Sequence, residues 1–222
     1  KRGHQLMLLV REKVDILTID SDTQWIIGEL GKPEIYGIKI SEFDPDVCMH
    51  LAWEGIPDFS KEMCQKNLKG SMAFLNWVVE KTHCKKIVVT GSCAEYTFPE
   101  GKCQEVDSVG GENHFSSTKN TLYRSIDLSC RKKSIELFWF RLFYVYGDGQ
   151  RDNSLLPSMV NALRTGKALL IQNPHNANDF IHVWDVVNGL LKAMKKGAEP
   201  GVYNLGSGEA VSVLEIVPAV EK

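Results

Sequence analysis

The pattern of apolar and polar positions is clearest between residues 85 and 150. A β-branched run, Ile87 to Thr90, stops at Gly91-Ser92, and a helical pattern then opens at Ser116 and ends near Arg131. A second apolar run, Leu137 to Phe143, follows it directly. Two short apolar runs joined by a helix predict one crossover of a parallel sheet.

The segments on either side continue this alternation of helices and strands. Residues 4–13 carry an apolar stripe and predict a helix, which leads into a predicted strand, 14–19, that ends at Asp20. The pattern of residues 30–40 is ambiguous between a helix and a strand. The other predicted strands are 46–51, 168–171, 180–183 and 202–205, and the other predicted helices are 67–81, 155–163, 185–196 and one that begins after Ser212. This alternation predicts the α/β class with a doubly wound parallel sheet.

Composition and charge narrow the classes of function. The 222 residues (25.0 kDa) are 43% hydrophobic, enough for the core of one large domain, or of one domain with a smaller lobe. The net charge of −2 and the lack of a basic block make nucleic acid and anionic membranes poor partners. No apolar run approaches the roughly 20 residues that span a bilayer, and the first residues do not lead into a signal-peptide core.

The six cysteines do not form a metal-binding pattern. They include no C-x-x-C pair, and no histidine stands at metal-ligand spacing from them. We therefore expect no metal site and reduced thiols, as in cytoplasmic proteins. Cys93, next to Ser92, is a candidate nucleophile, although the sequence places no histidine beside it to activate it.

Polar side chains collect where the predicted strands of the central block end. Ser92 follows the first of these strands, Lys119 lies in the first turns of the helix, and Tyr144 follows the second strand. In a doubly wound sheet, ligands bind outside the carboxyl ends of the strands. We therefore expect Ser92, Lys119 and the segment after Phe143 to contribute to one site.

With these segments placed, the chain resembles the NAD-dependent nucleotide-sugar epimerase/dehydratase family, a group of extended short-chain dehydrogenase/reductases. The resemblance runs from His4 to about Glu215. Its motifs follow in the family's order: Leu17-Thr18-Ile19-Asp20, His50-Leu51-Ala52, Asn67-Leu68-Lys69-Gly70-Ser71, Gly91-Ser92-Cys93-Ala94-Glu95-Tyr96, Lys119, Arg141-Leu142-Phe143-Tyr144-Val145-Tyr146-Gly147, Asp179-Phe180-Ile181-His182-Val183-Trp184-Asp185-Val186 and Tyr203-Asn204-Leu205-Gly206-Ser207-Gly208.

The resemblance implies a Rossmann-like sheet with a small C-terminal substrate lobe, NAD as the cofactor and a nucleotide sugar as the substrate. Asp20 would bind the adenosine ribose and repel a 2′-phosphate, which favours NAD over NADP; a helix cap or a turn residue is the alternative. Ser92 would donate a hydrogen bond to the sugar oxygen being oxidised. Lys119 would bind the nicotinamide ribose, unless it is a solvated helix lysine. The resemblance also implies cofactor contacts from Leu51, Ala52, Trp53, Phe143 and Val145, and substrate contacts from Ser92, Cys93, Tyr144, Leu156 and Asn178.

The family's Y-x-x-x-K motif is Phe115-Ser116-Ser117-Thr118-Lys119 in this chain. Phe115 has no hydroxyl, so it cannot take the proton that the family's tyrosine removes from the sugar. Three explanations stay open: a deliberate change that traps a ligand, a natural loss or change of activity, or replacement by another phenol, Tyr123 or Tyr96. The catalytic positions implied are Ser92, 115 and Lys119.

Two other departures concern the reaction and the extent of the chain. Dehydratases of the family carry an acid pair after the serine or threonine, whereas this chain has Cys93 and Ala94, which favours epimerisation or reduction of a 4-position carbonyl. The family's glycine-rich turn and the strand before it have no counterpart in the sequence. We therefore expect these residues to belong to a longer chain.

The substrate contacts depart from the family as well. Asn178 stands where an arginine often clamps a diphosphate, and an amide cannot supply the bidentate charge of a guanidinium. Arg151 and Lys167 are candidate substitutes, or ordinary surface charges. Tyr144 replaces a substrate-binding asparagine of many members, so the sugar specificity stays open.

The leading hypothesis is a cytoplasmic, homodimeric, NAD-dependent epimerase or 4-keto reductase acting on a nucleotide-activated sugar for surface polysaccharide. Residues 1–149, with 176–199 returning to them, would form the dinucleotide-binding domain, and 150–175 and 200–222 would belong to the substrate lobe. Helices 67–81 and 117–131 would pair in the dimer, with Trp77 and Val78 in that contact or in the core. The alternatives are a catalytically silent relative that binds NAD or a sugar nucleotide, which Phe115 favours, and a relative acting on a non-sugar carbonyl.

Overall fold

A computed structural model describes residues 3–12, 23–97, 101–111 and 113–220. The strands are β1 (Met7–Val10), β2 (Gln24–Ile27), β3 (Val47–His50), β4 (Lys86–Ser92), β5 (Glu136–Leu142), β6 (Tyr144–Tyr146), β7 (Ala177–His182), β8 (Gly201–Leu205) and β9 (Ala210–Ser212). The helices are α1 (Pro33–Phe43), α2 (Lys61–Lys81), α3 (His114–Lys133), α4 (Leu155–Thr165), α5 (Val183–Ala193) and α6 (Val213–Val220).

The centre of the fold is a parallel sheet with the strand order β3-β4-β5-β8. Strands β4 and β5 pair along their full lengths, from Lys86 opposite Glu136 to Ser92 opposite Leu142. Their side chains are apolar on both faces because helices cover both sides of the sheet. This register brings the carboxyl ends of the two strands to the same edge.

Alternate residues of the central strands enter two separate cores. Ile87, Val89 and Trp139 pack in a cluster with residues of α2 and α3, whereas Val88 and Phe138 pack in a second cluster with residues of α5. Helices therefore lie on opposite faces of a parallel sheet, which is the doubly wound α/β arrangement. The predicted fold class is confirmed.

Two smaller sheets accompany the central one: β1 pairs with β2 in parallel, while β7 pairs with β6 in parallel and with β9 antiparallel. The prediction of a helix over 4–13 is wrong, because Met7–Val10 forms β1 beside Gln24–Ile27. A short apolar run does not distinguish a helix from a buried strand, and here a partner strand decides the outcome. The predicted strand 14–19 and Asp20 lie outside the described residues.

Several predicted boundaries also change. The ambiguous segment 30–40 contains the start of α1, and α2 begins at Lys61 rather than 67 because the Ser60 side chain caps it. The predicted strand 168–171 is wrong: this segment is irregular, and Leu170 is 87% exposed. Strand β8 joins the central sheet beside β5, although the predicted boundary places its residues in the substrate lobe.

The two residues considered for a dimer contact are used within the chain. Val78 is buried in the core, and the Trp77 indole N–H donates to the Gly37 carbonyl of α1 at 2.9 Å. Core packing therefore accounts for both. Among the described helices, none combines the length and the apolar composition that crossing a membrane requires.

Candidate active site

The carboxyl end of β4 is held by a network of hydrogen bonds within the chain. The Ser92 backbone N–H donates to the Glu95 carboxylate at 2.8 Å, and the Ser92 hydroxyl accepts from the Ala94 N–H at 3.2 Å. Gly91 is required here because an added Cβ would run into the Trp139 indole and the Glu95 carboxylate. The conformation of Ser92 is therefore set by a tight 3₁₀ turn and by a carboxylate beneath it.

Helix α3 brings Lys119 to the same strand end. The helix begins after Asn113, whose side chain accepts from the Ser116 N–H at 2.9 Å. Lys119 lies one turn further on; it is 5% exposed, and its ammonium donates to the Thr90 carbonyl at 2.9 Å. Burial lowers the pKa of Lys119 to about 8, and the negative charge of Glu95 opposes this shift. The alternative of a solvated helix lysine does not fit this position.

An aromatic cluster of Trp53, Phe59 and Phe115 lies beside the Lys119 ammonium. The Lys119 nitrogen is 4.0 Å from the centre of the Trp53 ring and 5.8 Å from that of Phe115. The ring of Phe115 packs edge-on against Trp53 at 5.3 Å and against Phe59 at 4.8 Å. Position 115 is therefore next to the lysine, as the Y-x-x-x-K motif requires, but it offers only an apolar ring.

The two phenols considered as replacements are engaged elsewhere. The Tyr123 ring packs against Trp139, with the ring centres 5.2 Å apart. The Tyr96 hydroxyl donates to the Asn204 side chain at 2.7 Å. Burial raises the pKa of both phenols, which opposes their ionisation. These contacts do not support either tyrosine as a substitute for the hydroxyl that is missing at position 115.

A cavity of about 1140 Å³ opens next to this strand end. Four of the predicted contact residues line it: Cys93, Phe143, Tyr144 and Asn178. The other walls come from the loop 101–111, the start of α3, the start of β7 and the segment 204–210. Ser116, the neighbour of Phe115 in α3, also lines the cavity, so the aromatic cluster and the cavity adjoin at the start of this helix.

The Cys93 thiol lacks the environment of a nucleophile. Burial raises the pKa of this thiol to about 11, so it is protonated near neutral pH. Its neighbour Ala94 carries no titratable group and lines the same cavity. The two positions at which dehydratases carry acids are therefore uncharged here.

The basic residues expected to compensate for the missing arginine are not at the cavity. The Arg151 guanidinium donates to the Ile56 carbonyl in the loop before α2, and Lys167 lies exposed after α4. Within the described part of the chain, Lys102 of the loop 101–111 is the one lysine or arginine that lines the cavity. Nothing in the sequence marks Lys102 as a site residue, since only the folded loop brings it to the cavity that Asn178 also lines.

The remaining predicted contact residues are dispersed. Leu51 and Ala52 are exposed after β3, and Val145, in β6, packs against the second core cluster. Leu156 lies in the first turn of α4, and it is not among the described residues that line the cavity. The structure thus brings Trp53, Phe115 and Lys119 into one group and Cys93, Tyr144 and Asn178 into another.

A buried ion pair beneath the site was also missed. Glu95 and Arg141 are 0% and 2% exposed, and the Arg141 Nε donates to the Glu95 carboxylate at 3.1 Å. The signal in the sequence was an arginine inside the apolar run 137–143, together with an acid three residues after Ser92. A charge within a buried strand needs a partner, and Glu95 is the acid nearest to the end of the neighbouring strand.

The comparisons with known proteins agree with this geometry. The model of the NAD dependent epimerase/dehydratase family matches residues 1–206. The chain belongs to this family. The resemblance inferred from the sequence motifs is confirmed, and so is NAD as the cofactor, which the family's description names.

The curated relatives are longer than this chain. UDP-glucose 4-epimerase of Bacillus subtilis is 30% identical over 182 residues, which cover 70% of the chain and 52% of that enzyme. An uncharacterized protein of Methanocaldococcus jannaschii is 28% identical over 109 residues, covering 49% of the chain and 33% of the relative. The chain thus spans about half the length of the UDP-glucose 4-epimerases it matches.

Solved structures share the fold. UDP-glucose 4-epimerase of Thermotoga maritima, solved with UDP-glucose, superposes with a TM-score of 0.85 at 17% identity, covering 99% of the chain and 74% of that structure. dTDP-glucose 4,6-dehydratase of Bacillus anthracis, solved with NAD, gives a TM-score of 0.84 at 21% identity, covering 98% and 72%. At these identities the likeness shows the Rossmann-type fold alone.

The residues at the end of β4 fit a cofactor that carries hydroxyl oxygens. The Lys119 ammonium has three protons, and the described residues accept one of them. The Trp53 indole nitrogen is buried without a hydrogen-bond partner among the described residues. Both groups are donors that a ribose of NAD would satisfy.

Proposed function

We propose that the protein is an NAD-dependent epimerase or 4-keto reductase that acts on a nucleotide-activated sugar. The observation that carries this proposal is the position of Lys119, buried at the end of β4 beside residue 115 with donors left for a ligand. The adjoining cavity of about 1140 Å³ offers room for a nucleotide sugar.

Each candidate residue has one task in the proposed reaction. Lys119 would hold the nicotinamide ribose, and Ser92 would orient the sugar oxygen at the strand end. When bound, NAD supplies the acceptor and donor of the hydride. Residue 115 stands where the proton of the sugar hydroxyl has to be taken up, and Phe115 cannot do this. Asp20 would bind the adenosine ribose and select NAD over NADP.

The charges at the site favour epimerisation or reduction over dehydration. Elimination of water needs an acid that reaches the sugar. Cys93 and Ala94 supply none, and Glu95 is fully buried against Arg141. The Asp179 carboxylate lines the cavity, but it accepts hydrogen bonds from Ser207 and Gly208. Oxidation and re-reduction of one carbon require no such acid, only the cofactor and a group that moves the proton.

A catalytically silent relative is the second candidate, and the packing of Phe115 favours it. The ring fills the space between Trp53 and Phe59, so the apolar side chain is accommodated by its neighbours. A protein with this site would bind NAD or a sugar nucleotide without turning it over.

Restoring the phenol distinguishes the two candidates. We expect Phe115→Tyr to raise hydride transfer from UDP-glucose, used as the probe, on the order of 100-fold or more, because general acid–base catalysis contributes about 10²–10⁴-fold. Absorbance of reduced nicotinamide is the measurement. Phe59→Tyr is the control, since it adds a hydroxyl to the same aromatic cluster at another position. Binding of NADH and UDP-glucose without transfer in Phe115→Tyr would favour the silent relative.

We also propose a cellular location and an oligomeric state. We infer a cytoplasmic location, because all six cysteines are free thiols, which fits a reducing compartment; an oxidised, secreted protein would contradict it. We also infer a homodimer that pairs through the outer faces of α2 and α3, where Leu128 is exposed, and a monomeric mass in sedimentation would contradict it.

The division into lobes and the biological role also stay proposals. Residues 150–175 and those after β8 would form the substrate lobe, with β8 itself added to the dinucleotide-binding part because it pairs with β5. We expect limited proteolysis of the substrate lobe to release the bound nucleotide, and this release is the measurement that checks the division. A role in surface polysaccharide synthesis would be contradicted by an unchanged cell-surface glycan in a strain without the protein.

A further inference from the structure

The most deeply buried charges of the described chain lie directly beneath Ser92. The Glu95 side chain is 0% exposed and accepts hydrogen bonds from three groups. These are the Ser92 backbone N–H at 2.8 Å, the Trp139 indole N–H at 3.0 Å and the Arg141 Nε at 3.1 Å. These donors occupy the carboxylate within the fold, so it is not available as an acid to a substrate.

The same network reaches the far wall of the cavity through Arg141. Its guanidinium donates to the Glu105 carbonyl at 3.1 Å and lies 4.5 Å from the centre of the Tyr96 ring. Tyr96 donates to Asn204, and the Asn204 amide donates to the Cys103 carbonyl at 3.0 Å. The loop 101–111 and the end of β4 therefore share one buried support.

An ion pair of this kind needs a reason to be present. Taking two charges out of water costs more than a well-packed apolar pair in many proteins, so burial by itself does not explain Glu95 and Arg141. What the carboxylate adds is a fixed acceptor for two buried N–H groups, the Trp139 indole and the backbone of Ser92. No apolar residue can supply that acceptor.

We infer that Glu95 is a positioning residue that fixes the backbone of Ser92, and so the direction of its hydroxyl, for the sugar oxygen that the proposed reaction oxidises at the end of β4. This inference rests on the proposed function for its kinetic consequence, but the geometric part does not. Arg141 holds Glu95 in place, and Trp139 limits its rotation by donating to both carboxylate oxygens, at 3.1 and 3.0 Å.

Amide hydrogen exchange tests the geometric part without any activity. Glu95→Gln replaces one carboxylate oxygen by an NH₂ group. This group is itself a donor, so it cannot accept from Trp139 or Arg141. We expect exchange of the Ser92 amide to rise about 10-fold or more. Glu95→Asp, which keeps the charge on a shorter side chain, is the second variant if Glu95→Gln does not fold, and a smaller rise is expected.

Lys86→Met is the matched control, because it removes a buried charge at the opposite end of the same strand. The Lys86 ammonium donates to the Ala193 carbonyl at 2.6 Å, and Lys86 is the first residue of β4 whereas Ser92 is the last. We expect Lys86→Met to leave exchange at Ser92 within about twofold of wild type while exchange rises at the start of β4. Equal exchange at Ser92 in Glu95→Gln and wild type would overturn the inference.

Kinetics in the Phe115→Tyr background test the functional part. We expect Glu95→Gln to lower kcat for hydride transfer on the order of 10-fold, with KM for UDP-glucose and the affinity for NADH within about twofold, since misplacement affects the reacting geometry first. A kcat unchanged by Glu95→Gln, despite faster exchange at Ser92, would reduce Glu95 to a structural role. If no background shows hydride transfer, the proposed function fails, and exchange at Ser92 alone decides whether Glu95 fixes this residue.

Discussion

Strand β4 has a buried lysine at each end, and the two are satisfied in different ways. At its start, the Lys86 ammonium donates to the Ala193 and Lys195 carbonyls at 2.6 and 3.3 Å and pairs with Glu136 at 3.2 Å. The Ala193 carbonyl ends α5 and the Lys195 carbonyl lies just after it, where free carbonyls favour a cation. Two carbonyls and one carboxylate thus surround this ammonium.

At the other end of β4, Lys119 has one partner. Its ammonium donates to the Thr90 carbonyl and otherwise lies over the Trp53 ring, with no carboxylate among its hydrogen-bond partners in the described ranges. The nearest carboxylate network, around Glu95, is used for Ser92 and Arg141 instead. Lys86 therefore joins two elements of the fold, whereas Lys119 retains donors for a ligand. Only Lys119 indicates a binding site.

The largest expected effect is on stability, when a buried charge is removed at either end of β4. We expect Arg141→Met to lower the free energy of unfolding by about 3–5 kcal/mol, because it leaves the buried Glu95 carboxylate without its cationic partner. Lys86→Met should cost less, about 1–3 kcal/mol, because its acceptors are carbonyls and a half-exposed carboxylate. Urea unfolding of both variants is the measurement. Equal losses would contradict the ranking.

The second prediction concerns the pH dependence of Lys119. Its pKa is lowered to about 8 in the folded protein from the ordinary lysine value of 10.5, so between these values the unfolded chain binds more protons and stability rises with pH. Lys119→Met removes this burial cost. We therefore expect it to be more stable than wild type at pH 7, by about 3 kcal/mol at most. The advantage should shrink from pH 8 to 10.5.

Thermal unfolding at several pH values measures this difference. Lys85→Met is the control, because the Lys85 side chain is 79% exposed and its removal should bring no comparable gain in stability at pH 7. A constant difference for Lys119→Met would show that its ammonium is solvated after all.

The smallest effect is expected on the outer surface of the two helices that cover the sheet. Lys133 pairs with Glu80 between α3 and α2 at 2.9 Å, with side chains that are 45% and 55% exposed. We expect Lys133→Ala to change the free energy of unfolding by less than about 1 kcal/mol, and high salt to remove the effect. A larger loss would mean that exposed charges contribute as much as the buried network.

The central strands could be predicted because their residues have few alternatives. A β-branched run such as Ile87 to Val89 between polar segments is typical of a buried strand, and the amphipathic pattern before Lys81 is typical of a helix. The position of Lys119 beside residue 115 also followed from the motif spacing, since residues four apart share one helix face.

The other features of the fold and the site depend on contacts between distant residues, which the sequence pattern does not reveal. Residues 4–13 have a pattern that fits a helix, and only pairing with Gln24–Ile27 makes part of them a strand. Trp53 covers Lys119 from a loop after β3, at a sequence separation that no periodicity encodes. Arg141 was visible as a charge in an apolar run, but its partner Glu95 became evident only with the register of β4 and β5.

The central claim is that the carboxyl end of β4, and not its start, holds a nicotinamide cofactor. Titration with NADH tests it most directly, following nicotinamide fluorescence, with NADPH measured beside it and with Lys119→Met and Lys86→Met as paired variants. We expect saturable binding that prefers NADH, at least about 10-fold weaker in Lys119→Met and within about twofold of wild type in Lys86→Met. Equal weakening by the two variants, or no binding by wild type, would contradict the claim.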